Sequence, residues 1–168
     1  MFAQDINKHI VVGPTLNISL SDKLNPRIGL YSQFYWQVNK NNSIVAGLTN
    51  TRFLIKQFGG GSITTVTAGW RYLIIPDKLY VNFIAGIAQE IYLLKYYTNK
   101  ALTFHPVIEL ASGFYIPFKG YRIDIGLGYN QFFSKYKFFS WLQLKTGIRF
   151  SIKKKSKKKT SGEGEKVN

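Results

Sequence analysis

Few side chains in this sequence can do acid–base or nucleophilic chemistry. The chain has two histidines, His9 and His105, and no cysteine, which excludes a thiol nucleophile, a Cys-ligated zinc site and a disulfide scaffold. A serine nucleophile needs a base within hydrogen-bond reach; Ser19 and Ser134 are candidates to meet His105, but nothing in the sequence brings them together. No group of residues has metal-ligand spacing. The sequence therefore predicts a protein that is not an enzyme and has no catalytic residues, metal or cofactor.

Charged residues offer the other possible chemistry, because several fall at alternate positions among glycines and small polar residues. One face of an extended segment would carry them. We expect Asp124 close to several arginines, and Glu90 and Glu109 within reach of Lys145. Enclosed opposite charges can pair, which offsets their desolvation, so a plug of salt bridges is favoured over a gated ion path. The predicted lumen charge network comprises Arg71, Glu90, Glu109, Arg122, Asp124, Lys145 and Arg149, with Arg27 as a further inward-facing charge.

The elements that would position these charges are strands. Segments of about twelve residues alternate between apolar and polar positions and are separated by turn-rich breaks. Long and tight breaks alternate along the chain. The long breaks are 21–26, 56–61, 95–102 and 134–139, and the tight breaks are 39–42, 75–78 and 117–120. This order is typical of an up-and-down barrel. The eight predicted strands are 9–20, 27–38, 43–55, 62–74, 79–92, 103–116, 121–133 and 140–152.

The two faces of the predicted strands differ in a consistent way. In the seventh strand, Ile123 and Ile125 share one face while Arg122, Asp124 and Gly126 share the other. An eight-stranded barrel has an interior just wide enough for side chains, so glycines would make room beside large polar groups. Large apolar groups on the other face suit contact with lipid. The fold class predicted is therefore all-β: an eight-stranded antiparallel transmembrane β-barrel.

Three strands follow this pattern less well. The third, fifth and sixth place Val45, Ile84 and Val107 on the presumed inner face. Their presumed outer face carries Asn50, Arg52 and Gln89, which we expect near the extracellular ends, where a charge costs about 0–1 kcal/mol.

Outward-facing aromatic residues gather near the opposite, periplasmic strand ends. Such a girdle is typical of a membrane interface. Its predicted members are Trp36, Trp70, Tyr72, Phe114, Tyr121 and Phe150.

The glycine run Gly59-Gly60-Gly61 is interpreted as a flexible loop tip. A phosphate-binding loop would need a following Lys-Ser/Thr and a helix, and neither is found here.

Composition agrees with a barrel. Aromatic residues make up 16% of the 168 residues, and the mean hydropathy is −0.09. No run of about 18 apolar residues predicts a transmembrane helix. The net charge is +15, of which the seven Lys and two Glu of residues 153–168 supply +5. The remaining charge is too diffuse for a nucleic-acid surface, and anionic lipid or lipopolysaccharide is an equally good partner.

The two ends of the chain lie outside the predicted barrel domain, 9–152. Residues 1–8 form a lead, and Met1-Phe2-Ala3 is typical of the last part of a signal peptide, so we expect a signal segment upstream. Residues 153–168 are a Lys-rich tail predicted to be disordered. This tail would lie against anionic headgroups, bind an acidic periplasmic partner, or remain solvated without a specific partner.

The eighth strand carries a short motif at its end. Lys145, Gly147 and Phe150 match a pattern of polar residue, glycine and aromatic, and Ile152 stands where a final aromatic is usual. This resembles the C-terminal assembly signal of bacterial outer-membrane proteins. Together with the strand pattern, the resemblance to small outer-membrane β-barrels of the OmpA/OmpX type covers residues 9–152. It implies assembly by the barrel-assembly machinery, a bacterial outer-membrane location and periplasmic termini. The tail after Ile152 departs from the family, whose members of this size usually end at the aromatic.

Four functions remain open from the sequence. The first is a non-enzymatic outer-membrane protein, either structural or an accessory subunit of an envelope complex. The second is a narrow pore for small solutes or ions. The third, a lipid-modifying enzyme, is disfavoured because no histidine-paired site is found. The fourth is a soluble lipid-binding barrel of the lipocalin type, which would carry its apolar face inside.

Overall fold

The computed structural model is a closed barrel of eight antiparallel strands. The structure describes residues 8–20, 26–55, 59–94, 101–133 and 138–152. Each strand pairs with its sequence neighbours, and β1 also pairs with β8, from Lys8 against Ile152 to Ser19 against Trp141. The strands are β1 Lys8–Ser19, β2 Arg27–Gln37, β3 Asn42–Ile55, β4 Gly59–Ile75, β5 Leu79–Leu94, β6 Ala101–Phe118, β7 Tyr121–Phe133 and β8 Phe138–Ile152.

The predicted all-β fold of eight antiparallel strands in chain order is confirmed. Every predicted strand bound lies within three residues of the observed one. The signals that carried the prediction were the two-residue alternation of polarity and the turn-forming breaks, both of which arise from strand geometry itself.

The interpretation of Gly59-Gly60-Gly61 as a loop tip is wrong. All three glycines lie in β4, paired with Ile55, Leu54 and Phe53 of β3 on one side and with β5 on the other. Glycine is unfavourable in a strand on its own. Here the apolar and aromatic partner segments favour strand, and ladders on both sides hold the glycines in it.

The break after β6 is also tighter than predicted. β6 continues through Pro117 and Phe118, and only Lys119 and Gly120 form the turn. Both have positive φ, 38° and 85° respectively, as a two-residue type I′ hairpin requires. Glycine meets this requirement without strain, whereas Lys119 holds a left-handed conformation that side chains disfavour.

The barrel has two unlike ends. The turn end holds the three tight turns, 38–41, 76–78 and 119–120, together with Lys8 and Ile152. The loop end holds the connections whose central residues, 21–25, 56–58, 95–100 and 134–137, lie outside the described residues. Most of the predicted N-terminal lead (1–7) and the predicted tail (153–168) also lie outside them.

The outer surface is a belt of large apolar side chains. Ile28 is 70% exposed, Leu30 67% and Val66 62%, although none of them lies in a loop. Asn50, Arg52 and Gln89 are polar residues on this outer face near the loop end, as are Ser62 and Thr64, and Asn50 Nδ2 donates to Thr64 Oγ1 at 2.8 Å. Within the described ranges, no helix is long and apolar enough to cross a membrane.

The interior is packed with side chains. Val45, Ile84 and Val107 are at most 2% exposed, so the apolar residues assigned to the inner face do lie inside. Inner-face glycines leave space for tyrosines: a Cβ at Gly126 would lie 2.7 Å from the Tyr80 hydroxyl oxygen.

Candidate functional site

The centre of the lumen is organised around Arg71 of β4, which is 1% exposed. Its Nε donates to Asn82 Oδ1 at 2.7 Å, and its Nη2 donates to the Tyr35 hydroxyl at 2.7 Å. Its Nη1 donates to the Tyr115 hydroxyl. The guanidinium carbon lies 3.5 Å from the ring centroid of Tyr80 and 3.9 Å from that of Tyr35. Tyrosines and an amide thus surround this cation on both faces and along its edge, an arrangement we call the Arg71 cage (Arg71, Tyr35, Tyr80, Asn82, Tyr115 and Asp124).

Asp124 supplies the negative charge of the cage. Its Oδ2 lies 3.6 Å from Arg71 Nη1, and its Oδ1 accepts a hydrogen bond from the Tyr80 hydroxyl at 2.5 Å. Asp124 is 1% exposed. A buried ion pair is tolerated when further hydrogen bonds satisfy most of its atoms. Here tyrosine hydroxyls bond to both Arg71 nitrogens Nη1 and Nη2 and to Asp124 Oδ1, whereas Asp124 Oδ2 has no hydrogen-bond partner among the described residues.

A second ion pair lies between the cage and the loop end. Lys145 Nζ donates to Glu109 Oε1 at 2.5 Å, and both side chains are 5% exposed. Beside it, Asn130 Nδ2 donates to Gln143 Oε1 at 3.2 Å. The lumen is therefore crossed by hydrogen bonds at this level as well.

Towards the loop end, aromatic rings fill the interior. Phe132 and Phe139 stack with ring centroids 4.6 Å apart, and Trp141 lies 4.7 Å from Phe132. Arg27 stacks on Trp141 at 4.8 Å. His105 Nε2 lies 3.1 Å from Glu90 Oε2, with Phe139 edge-on at 5.7 Å.

At the turn end, Asp77 projects from the β4–β5 turn towards two arginines. Its Oδ1 accepts a hydrogen bond from Arg122 and lies 3.6 Å from Arg149 Nη1. The hydrogen bond from Arg122 holds the pKa of the Asp77 carboxyl below its usual value. On β1, the strand next to that of Arg149, His9 Nδ1 lies 3.1 Å from Ser151 Oγ.

The structure brings some of the predicted charges together and separates others. Asp124 lies beside Arg71, and Glu109 beside Lys145. Glu90, which we expected within reach of Lys145, contacts His105 instead, and Arg122 and Arg149 contact Asp77. The cause is the stagger of a barrel, which decides the inner positions that face one another across the lumen.

Sequence reasoning missed the tyrosines and Asp77. Tyr35, Tyr80 and Tyr115 occupy inner-face positions, but the predicted lumen network contained only residues with a formal charge. The signal that could have found them was their alternation with glycine and small residues on the inner faces of β2, β5 and β6. Asp77 was assigned only to a turn, and the structure shows its carboxylate at the mouth, near Arg122 and Arg149.

The two histidines do not meet. His9 lies at the turn end and His105 towards the loop end, with the Arg71 cage between them. Ser19 lies in β1 opposite Trp141, and Ser134 lies outside the described residues.

The aromatic residues of the predicted girdle all face outward, each at least 43% exposed. Trp70 Nε1 donates to Asn42 Oδ1 at 2.8 Å, and Lys8 Nζ lies 5.2 Å above the Trp36 ring. Tyr121 and Phe150 meet edge to face at 5.9 Å. The six residues, Trp36, Trp70, Tyr72, Phe114, Tyr121 and Phe150, occupy the turn-end halves of their strands.

The residues of the predicted assembly signal divide between the two faces of β8. Lys145 and Gly147 face inward, and a Cβ at Gly147 would lie 2.5 Å from the Tyr31 hydroxyl oxygen. Phe150 and Ile152 face outward, 44% and 46% exposed. The two apolar residues of the predicted signal therefore lie on the barrel surface, where another molecule can contact them.

An apolar exterior around a polar, side-chain-filled interior defines the class: the chain has the fold of the small eight-stranded outer-membrane β-barrels. The attachment invasion locus protein Ail of Yersinia pestis superposes with a TM-score of 0.61 at 16% identity, over 88% of this chain and all of Ail. Neisserial surface protein A gives 0.63 at 10% identity, over 89% of this chain and 98% of its own. The N-terminal barrel domain of Pseudomonas aeruginosa OprF gives 0.57 at 11% identity, over 88% and 100%. No family model and no curated protein matches the sequence.

Proposed function

We propose that this protein is a non-enzymatic outer-membrane β-barrel whose lumen is plugged, so that it acts as a membrane-anchored scaffold rather than a channel. The observation that carries the proposal is the combination of an apolar outer belt with the Arg71 cage across the interior. The belt matches what hydrocarbon requires of a barrel exterior. The cage fills the space that solute would need.

The lengths of the connections between strands support an orientation of the barrel in the membrane. In outer-membrane barrels, short turns face the periplasm and longer loops face outward. The turn end, with its tight turns and aromatic girdle, is accordingly proposed to be periplasmic, and both Lys8 and Ile152 lie there. Lipid and lipopolysaccharide would contact the belt, the barrel-assembly machinery would read the end of β8, and an envelope protein is the further partner proposed.

Heat-modifiability tests the membrane barrel. The full-length gene is expressed in a Gram-negative host, membranes are fractionated, and unboiled and boiled samples are compared on a gel. We expect the protein in the outer-membrane fraction, with a different apparent mass when unboiled. A soluble protein without a mobility shift would sink the proposal.

A narrow pore is the second candidate, because the interior is polar and ionic. Purified protein in planar bilayers should show no steady conductance if the cage is closed. An Arg71→Ser variant, which removes the central guanidinium, should conduct more often than the unsubstituted chain. Frequent openings of the unsubstituted protein would favour the pore.

A soluble lipocalin-type barrel would require the opposite sidedness. Here Arg71, Asp124 and Asn17 are inside while Ile28 and Leu30 are outside. A soluble barrel with this arrangement would expose its apolar belt to water, and that exposure is unfavourable in free energy. The observed sidedness supports lipid contact on the outside.

A further inference from the structure

The turn-end mouth of the barrel holds more positive than negative charge. A cavity of about 610 Å³ opens there, lined among others by His9, Asp77, Arg122, Arg149 and Ser151. Two guanidiniums face a single carboxylate, since Asp124, the next acid inward, is bonded to Tyr80. With Lys8, which also lines the cavity, the local sum of these formal charges is +2 before His9 is considered.

Among the described charged residues that line the mouth, Arg149 has buried nitrogens without hydrogen-bond partners. It is 8% exposed, and within the described residues its Nε and Nη1 have no hydrogen-bond partner. Its Nη1 is 3.6 Å from Asp77 Oδ1, an attractive separation that is too long for a hydrogen bond. Its guanidinium carbon lies 4.5 Å from the Tyr115 ring centroid. Leaving buried donors without acceptors is costly, so a small rearrangement that gave this guanidinium an acceptor would be favourable.

Asp77 lies in the β4–β5 turn at the mouth. Its φ of 59° is in the left-handed region, which aspartate adopts in turns more readily than most side chains. Its carboxylate is 57% exposed and already accepts a hydrogen bond from Arg122. One exposed carboxylate is therefore divided between two arginines, and both arginines line the cavity that a second oxyanion would enter.

We propose that the turn-end mouth binds an oxyanion, a carboxylate or a phosphate group, between Arg149 and Arg122 with His9 beside it. Arginine favours such groups because its planar fork matches their oxygens. The ligand enters from the turn side and carries the anionic group at its tip. This site goes beyond the scaffold role and is the same whichever face of a membrane the mouth adjoins.

The test is a titration of the full-length protein in non-ionic maltoside micelles, which lack phosphate headgroups. Inorganic phosphate and, in a separate arm, acetate are added at constant ionic strength against chloride, and the arginine Nε–Hε resonances are followed by NMR. We expect a saturable shift, and the arm that saturates at lower concentration identifies phosphate or carboxylate as the source. A shift that is linear and equal to that of chloride in both arms overturns the site.

Three variants make the test specific. Arg149→Gln should weaken binding about tenfold, the loss of a charge-assisted bond, whereas Arg27→Gln, at the other end of the lumen, should leave it unchanged. Asp77→Asn should tighten binding several-fold because the competing carboxylate is removed. Heat-modifiability of each variant establishes that it folds, and a folded Arg149→Gln protein with unsubstituted affinity would overturn the proposal.

Discussion

Lys145 and Glu109 form an ion pair in the lumen, and each side chain is 5% exposed. Removing one partner of such a buried pair destabilises a protein strongly, because the other charge stays buried without compensation. Lys145→Met should destabilise the barrel by about 3–5 kcal/mol because Glu109 is left as a buried, uncompensated charge. The double variant Lys145→Met/Glu109→Leu should regain most of that loss. Urea unfolding in lipid vesicles measures both, with the exposed Arg52→Gln as a control expected within about 0.5 kcal/mol. Equal stability of the single and double variants would contradict this account.

Asp77 gives a pH dependence whose sign follows from its pKa. Because the folded-state pKa is lowered by Arg122, ionised Asp77 adds stability above the ordinary carboxyl pKa. That contribution disappears as the pH falls below about 4 through the lowered value. The side chain is 57% exposed, so solvent screening limits the effect to a few tenths of a kcal/mol. Asp77→Asn should be less stable than the unsubstituted chain at pH 7 and equal to it near pH 2; a constant difference would count against the ion pair.

At the scale of single residues, the sequence identified which charges face inward and two of their pairings, Asp124 with Arg71 and Glu109 with Lys145, but not the partners of Glu90, Arg122 and Arg149. Alternation is a local property, so Asp124, Lys145 and Arg71 could be assigned a face from their own strands. Partner choice depends on positions across the lumen. Arg71 of β4 contacts Tyr35 of β2 and Tyr115 of β6, and no local pattern specifies that meeting.

Among the elements, the strands differ in how closely their neighbours approach the inner glycines. A Cβ at Gly69 would lie 2.2 Å from the Phe83 carbonyl oxygen, whereas one at Gly128 would have its nearest neighbour at 3.3 Å. Gly69→Ala should therefore destabilise the barrel by about 1–3 kcal/mol, the usual cost of overpacking. Gly128→Ala is the matched control and should change stability much less. Comparable unfolding midpoints for the two would refute the packing argument.

Strand bounds could be predicted because turn chemistry and alternation are encoded within a few residues. Gly59-Gly60-Gly61 escaped prediction because its strand state comes from pairing with β3 and β5 and not from its own composition. Pro117 was assigned to a turn for a similar reason: its residue type suggests a break, but its pairing with Arg122 keeps it in β6.

For the whole molecule, the apolar belt implies that the cost of an outward-facing charge depends on its depth in the bilayer. Ala68 faces outward in the middle of β4, opposite Ala46 and Ala85, whereas Ser62 faces outward near the loop end. In a bilayer, Ala68→Arg should cost about 2–4 kcal/mol and Ser62→Arg about 0–1 kcal/mol. Unfolding titrations in vesicles measure the two values. Equal costs would place the hydrocarbon elsewhere on this surface.

The seam between β1 and β8 has a consequence for how the chain could be rewired. Because Lys8 lies directly opposite Ile152, a short peptide could join them while the backbone is cut between Asp77 and Lys78. Such a circular permutant would keep all eight ladders and should refold in detergent. It would, however, begin with β5 and end with β4, so Phe150 and Ile152 would be internal. A permutant that folds in detergent yet fails to reach the membrane in cells would show that the sequence encodes folding and membrane targeting separately.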